Sequence, residues 1–149
     1  MRKILLALLL FTSSCDYQPI YVEKKITKVK FLEIVSEGEN RINSRIINSL
    51  SFEEDKSGES LNKLLLKTAY IINETSKNSR GQIQSYRSSI LVNLTISKDN
   101  KIIKRKDFLK DFTYNSRDNK FELVEYQETV KNNIVNKIIE EITLYINLQ

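Results

Sequence analysis

The stretch from Tyr86 to Ser97 places Tyr86, Ile90, Val92, Leu94 and Ile96 on one side, with Arg87, Asn93, Thr95 and Ser97 on the other. A period of two held this long does not fit a helix. It demands a strand with one buried and one wetted face, as in an antiparallel sheet covered on one side. The neighbouring segments supply its partners. Leu61 to Asn73 puts Leu64, Leu66, Tyr70 and Ile72 opposite Lys63 and Lys67, and Ile102 to Tyr114 brings Phe108, Phe112 and Tyr114 into phase with lysines between. The polar stretch Thr75 to Gly81 and the pair Asp99-Asn100 read as the two turns.

A sheet with one apolar face needs a cover. From about Asn119, Phe121, Val124, Val130, Ile134, Ile138, Ile142 and Tyr145 recur at helical spacing, widened by Val135, Ile139 and Ile146, with no Gly or Pro among them. A shorter amphipathic helix carries Ile42, Ile46, Ile47 and Leu50, with Asn40 as its expected N-cap. Ahead of it, Ile26 to Val35 reads as a strand whose alternation changes phase around Phe31-Leu32, so an irregularity is expected there. Glu53 to Ser60 reads as a loop. The order β-α-β-β-β-α predicts an α+β fold: one four-stranded mixed sheet with two helices packed on a face.

The N-terminus has a different logic. Arg2 and Lys3 precede the apolar run Ile4 to Phe11, and Thr12-Ser13-Ser14 lead to Cys15, the only cysteine. Eight apolar residues fall far short of the roughly 20 that span a bilayer as a helix, but suit a cleaved signal. A cysteine directly after small residues can be alkylated with diacylglycerol and become the acylated first residue, which also accounts for a thiol with no disulfide partner. The expected organisation is a lipoprotein signal peptide over residues 1–14 and a single lipid-anchored domain over 15–149, with Cys15 as the attachment site. Residues 16–25 form a short lead that Pro19 keeps extended.

Absences narrow the function. The chain has no His, three Gly and, with Cys15 acylated, no thiolate. The commonest general base, the usual metal ligands and any Gly-rich phosphate loop are missing. Neither an enzyme nor a cofactor or metal site is expected. Lys and Arg number 24 against 19 Asp and Glu, and two of the basic residues are Arg2 and Lys3; this is mildly basic and no nucleic-acid footprint. The basic run Lys101, Lys104, Arg105, Lys106 and Lys110, interleaved with Asp107 and Asp111, leaves two readings open. It guards an exposed sheet edge, or it binds a polyanion, and guarding is the more common use.

The motifs taken in order resemble a known family. Cys15-Asp16-Tyr17-Gln18-Pro19-Ile20-Tyr21 is similar to a mature start that usually reads Cys-Gly-Phe-x-Pro-Leu-Tyr. Arg80-Gly81-Gln82 with Tyr86, Val92-Asn93-Leu94-Thr95-Ile96, and Phe112-Thr113-Tyr114-Asn115-Ser116 leading through Asn119, Phe121 and Leu123 to Tyr126 follow at matching spacing. Together they resemble the lipopolysaccharide-assembly lipoprotein, in its α-proteobacterial form, over essentially the whole mature chain. The resemblance implies a non-enzymatic lipoprotein lodged in an outer-membrane β-barrel partner, supporting assembly of that barrel and of lipopolysaccharide at the outer membrane. It also implies lipopolysaccharide binding, with the family's basic residue in the turn between the second and third strands falling on Arg80. Lys77 adds charge beside it, and the second basic position, before the last helix, falls nearest Lys120 or Arg117. An Arg fork suits the phosphates of lipid A. Outer-membrane placement on the periplasmic side follows from the family. Asp16, where the family usually has Gly, raises inner-membrane retention as the alternative, because Asp after the acylated cysteine holds enterobacterial lipoproteins there. A lipoprotein accessory of another envelope system, such as outer-membrane protein assembly, is the other functional reading.

Overall fold

The computed structural model describes residues 28–147. The signal segment, Cys15, Asp16, Pro19 and the start of the first expected strand (Ile26-Thr27) lie outside the described residues. The chain then runs β1 (Val29–Phe31), β2 (Glu33–Gly38), α1 (Asn40–Ser49), β3 (Phe52–Glu54), β4 (Asn62–Lys77), β5 (Ile83–Lys98), β6 (Lys101–Asn115) and α2 (Lys120–Asn147). The main sheet is mixed, in the order β2-β4-β5-β6: β2 is parallel to β4, and β4, β5 and β6 form an antiparallel meander. The α+β layout with four main strands and two helices is as expected from the sequence. Among the described residues no helix is long and apolar enough to cross a membrane.

The alternation in β5 translates directly into burial: Ile90, Val92 and Leu94 are fully enclosed, facing Leu64 and Leu66 of β4 and Phe108 of β6. Over this face lie Ile42 and Ile46 of α1 and Val130, Ile134, Val135, Ile138 and Ile142 of α2. Each such side chain contributes about 1.5–3 kcal/mol relative to exposure. The two helices are clamped to each other by Arg45, whose guanidinium donates to the Asn132 amide oxygen and, at 2.8 Å, to that of Asn136.

The irregularity expected around Phe31-Leu32 is present: the first strand breaks at Leu32, and β1 leaves the main sheet and pairs in parallel with β3. Three details depart from the expectations. The segment read as a loop contains a strand at its start, too short for alternation to reveal, and Phe52 of β3 packs edge-on against Phe31 at 5.3 Å. Asn40 is the first residue of α1 and not its cap. The preceding Glu39 gives no side-chain cap, and its amide donates to the Thr68 hydroxyl at 3.0 Å. Gly38, at φ +89°, makes the turn out of the sheet, and a Cβ there would meet the Thr68 carbonyl oxygen at 1.9 Å. The helix start is thus set by β4 and not by a local side chain. Finally, Phe121 and Val124 of α2 stay exposed, and the buried stripe begins with Leu123 and Tyr126 at its margin and Val130 inside. Helix α2, expected to begin at about Asn119, is capped by that residue, whose side-chain oxygen accepts the Phe121 amide at 2.9 Å.

Candidate functional site

The sheet has two ends. At one lies the β5–β6 turn, where Asp99 and Asn100 both adopt left-handed φ, as a tight two-residue hairpin requires. At the other lie the β4–β5 turn and the crossing from β6 into α2. The sequence-predicted basic residues gather at this second end. Asn78 organises the turn that presents Arg80: its side-chain oxygen accepts the Arg80 and Gln82 amides at 3.0 and 2.9 Å, and its side-chain amide donates to the Gln82 side chain at 2.8 Å. Gly81 supplies the left-handed residue at φ +78°. The turn is rigid while the Arg80 side chain projects into solvent.

The second basic segment is tied to the first through main chain. Ser116 donates to the Gln84 carbonyl at 2.8 Å, carrying Arg117 to the same end of the sheet as Arg80. Arg117 is itself placed: its guanidinium lies 4.3 Å from the ring centre of Tyr126. Lys120, in the first turn of α2, is exposed. Lys77 is paired with Glu74 at 2.9 Å, so its charge is largely offset locally. Of the residues considered from sequence, Arg80 and Arg117 are therefore the ones the local structure aims.

Beside Arg117 lies an aromatic floor not foreseen as a unit. Tyr86 stacks on Tyr114 at 5.9 Å, and Tyr114 meets Tyr126 edge-on at 5.6 Å. Beneath, the Ser88 hydroxyl, fully buried, bridges Tyr70 at 3.3 Å and Tyr114 at 3.1 Å. Burial pushes the Tyr70 phenol up from its ordinary value. A cleft of about 460 Å³ opens here, lined by Phe112, Tyr114, Ser116, Arg117 and Tyr126 among others. A second, of about 490 Å³, continues between Phe112 and the Val130 side of α2. The signal that could have found the floor is the pairing register: Tyr86 and Tyr114 are direct cross-strand partners.

Such an end offers guanidinium groups for phosphate beside apolar and aromatic surface, including exposed Phe112, Phe121 and Val124. An anionic amphiphile matches that combination. Nothing in the arrangement pairs a nucleophile with a base.

No family model matches the chain, and no curated relative does. Solved structures share the fold. Rare lipoprotein B from Shewanella oneidensis superposes with a TM-score of 0.58 at 9% identity, covering 77% of this chain and 93% of that one. An uncharacterized lipoprotein B from Nitrosomonas europaea gives 0.55 at 10% identity, covering 80% and 84%. A minor lipoprotein from Acinetobacter baumannii gives 0.53 at 10% identity, covering 78% and 88%. At these identities the likeness is one of fold.

Proposed function

We propose that this chain is a lipid-anchored, non-catalytic envelope lipoprotein that acts in lipopolysaccharide assembly at the outer membrane, as plug or scaffold of a β-barrel partner and as a lipopolysaccharide-binding subunit. The observation that carries the reading is the placement of Arg80 and Arg117 at one end of the sheet, with Arg117 over a tyrosine floor and exposed apolar side chains nearby. The lipoproteins that share the fold support the envelope setting, and the Cys15 motif supports the anchor. The α-proteobacterial form is supported by the sequence motifs alone, and not by the structures above, which come from Shewanella, Nitrosomonas and Acinetobacter. Outer-membrane placement follows the same reading, with inner-membrane retention through Asp16 its competitor.

The geometry favours Arg117 over Lys120 as the second phosphate ligand, because only Arg117 is held by an aromatic ring. In binding assays with purified lipopolysaccharide, Arg80→Glu and Arg117→Glu are each expected to weaken binding at least about tenfold, as for loss of a charge-assisted contact. Lys120→Glu should do less. Unchanged binding in both arginine variants would remove this end of the sheet from the site. Purification from membranes in mild detergent should recover a large outer-membrane β-barrel protein. Recovery of a barrel with no part in lipopolysaccharide export would favour the accessory-lipoprotein reading.

A further inference from the structure

The basic run of β6 resolves into two groups. Lys110 pairs with Glu141 at 2.5 Å, and Lys106 lies over the rings of Phe108 and Tyr145 at 5.2 and 4.7 Å. Asp107 accepts from Asn93 at 2.7 Å and Asp111 forms an ion pair with Arg87 at 3.4 Å, so the acidic residues of the strand are engaged as well. Lys101, Lys104 and Arg105 remain, joined toward the β5–β6 turn by Lys98 at the end of β5, and among the described residues none of the four has a carboxylate partner. They sit among apolar side chains that the fold leaves outside. A bulge in the β5–β6 register lets the consecutive Ile102 and Ile103 both stay exposed, at 61% and 50%. Leu61 is 52% exposed just before β4, and Leu32, also exposed, donates its amide to the Asn62 carbonyl at 2.7 Å. Asn62, Lys98 and Lys101 are successive ladder partners, so Leu61 lies about two strand spacings, roughly 10 Å, from the isoleucines, and Leu32, on the β2 side of β4, about three, roughly 15 Å.

The chain also enters at this end: β1 precedes Leu32, which is bound to the first residue of β4. Cys15 to Lys28 reaches at most about 45 Å when extended.

We propose that this end of the sheet seats on an anionic bilayer leaflet. Leu32, Leu61, Ile102 and Ile103 enter the headgroup region, while Lys98, Lys101, Lys104 and Arg105 face the lipid phosphates. The inference takes from the proposed function only the Cys15 anchor that delivers the molecule to a membrane; it does not depend on the ligand bound at the Arg80 end. A lipid chain combined with a basic patch is a recognised route to stable attachment. The isoleucines would add to it the apolar contact that simple edge-guarding lysines lack.

The absence of tryptophan from the chain makes a direct test available. The full acylated protein is reconstituted in phosphatidylethanolamine–phosphatidylglycerol vesicles as an Ile103→Trp variant and, separately, as a Val124→Trp variant. The tryptophan introduced at 103 should emit to the blue and be quenched by brominated lipid, and the one at 124 should not. A Cys15→Ser form keeps the whole core, which lies within residues 29–146. It should still bind phosphatidylglycerol vesicles in a salt-sensitive way, and Lys101→Glu with Lys104→Glu should lower that binding at least about tenfold. A solvent-like, unquenched tryptophan at 103 in protein whose mass shows an acylated Cys15 overturns the proposal and leaves the anchor standing. Shielding at 103 that needs a barrel protein and no lipid also overturns it. If the mass shows no acyl group, the anchor fails, and vesicle binding by the Cys15→Ser form decides the surface alone.

Discussion

Asp55 accepts hydrogen bonds from the Ser57 hydroxyl and amide at 2.6 and 3.1 Å and from the Ser60 amide at 2.7 Å, with Lys30 3.9 Å away. Its own amide donates to the Phe31 carbonyl at 2.7 Å. One aspartate thus folds the loop after β3 and fastens it to β1. The Ser57 hydroxyl first, and the Ser60 amide next, lower its carboxyl from 3.8 to about 2. Because the folded-state value lies below the unfolded one, the stabilisation is complete above about pH 4 and is lost as pH falls through about 2. Asp55→Asn should lower the Tm at neutral pH and flatten the fall in Tm between pH 4 and 2, read by circular dichroism. An unchanged acid slope would show that other carboxylates govern acid unfolding. Gly38 makes a second residue-scale prediction. With a left-handed φ and a Cβ position already filled by the Thr68 carbonyl, Gly38→Ala should cost at least about 2 kcal/mol in denaturant unfolding.

Among the elements, the helices differ in how they are tied down. Helix α2 has a side-chain cap at Asn119 and Glu122 in its first turn, so Asn119→Ala should cost about 1 kcal/mol. Asn40→Ala at the start of α1 should cost less than about 0.5 kcal/mol, because that helix is started by the Gly38 turn and the Glu39–Thr68 hydrogen bond. Paired chemical melts of the two variants separate these cases. Much of this scale was legible beforehand. The strands β4 to β6, both turns and α2 follow from alternation, turn chemistry and helical spacing. Strand β3 was not legible, since three residues carry no period and Phe52 owes its burial to Phe31, which is distant in sequence.

Taken whole, the described residues share one core. Phe31 and Phe52 of the small sheet belong to the same buried cluster as Leu66, Ile90 and Ile138. Unfolding should therefore be a single transition, with far-ultraviolet and near-ultraviolet circular dichroism coinciding, and Phe52→Ala should shift it as a unit by about 3–5 kcal/mol. A separate early transition in that variant would show the small sheet to be an independent unit. The sixteen residues of β4 give the sheet a length of roughly 50 Å, longer than the roughly 30 Å of a bilayer's hydrocarbon core. With the Ile102–Ile103 end seated on a leaflet, the Arg80 and Arg117 end would stand well clear of it, separating attachment from ligand binding within one rigid body.

By itself the sequence determined the two-layer α+β architecture and which side of β4, β5 and β6 faces the core, though Ile72 and Phe112 on that side stay exposed, and it supplied the candidate basic residues. Period and turn chemistry are local properties, and they hold wherever the element finally packs. Only the tertiary structure decided that Lys77 is spent on Glu74, that Arg117 is braced on Tyr126, and that Tyr86, Tyr114 and Tyr126 form one floor. It also decided that the β6 basic run divides between internal contacts and an exposed end. Each of these depends on strand register and helix placement, which bring together residues that the chain keeps far apart.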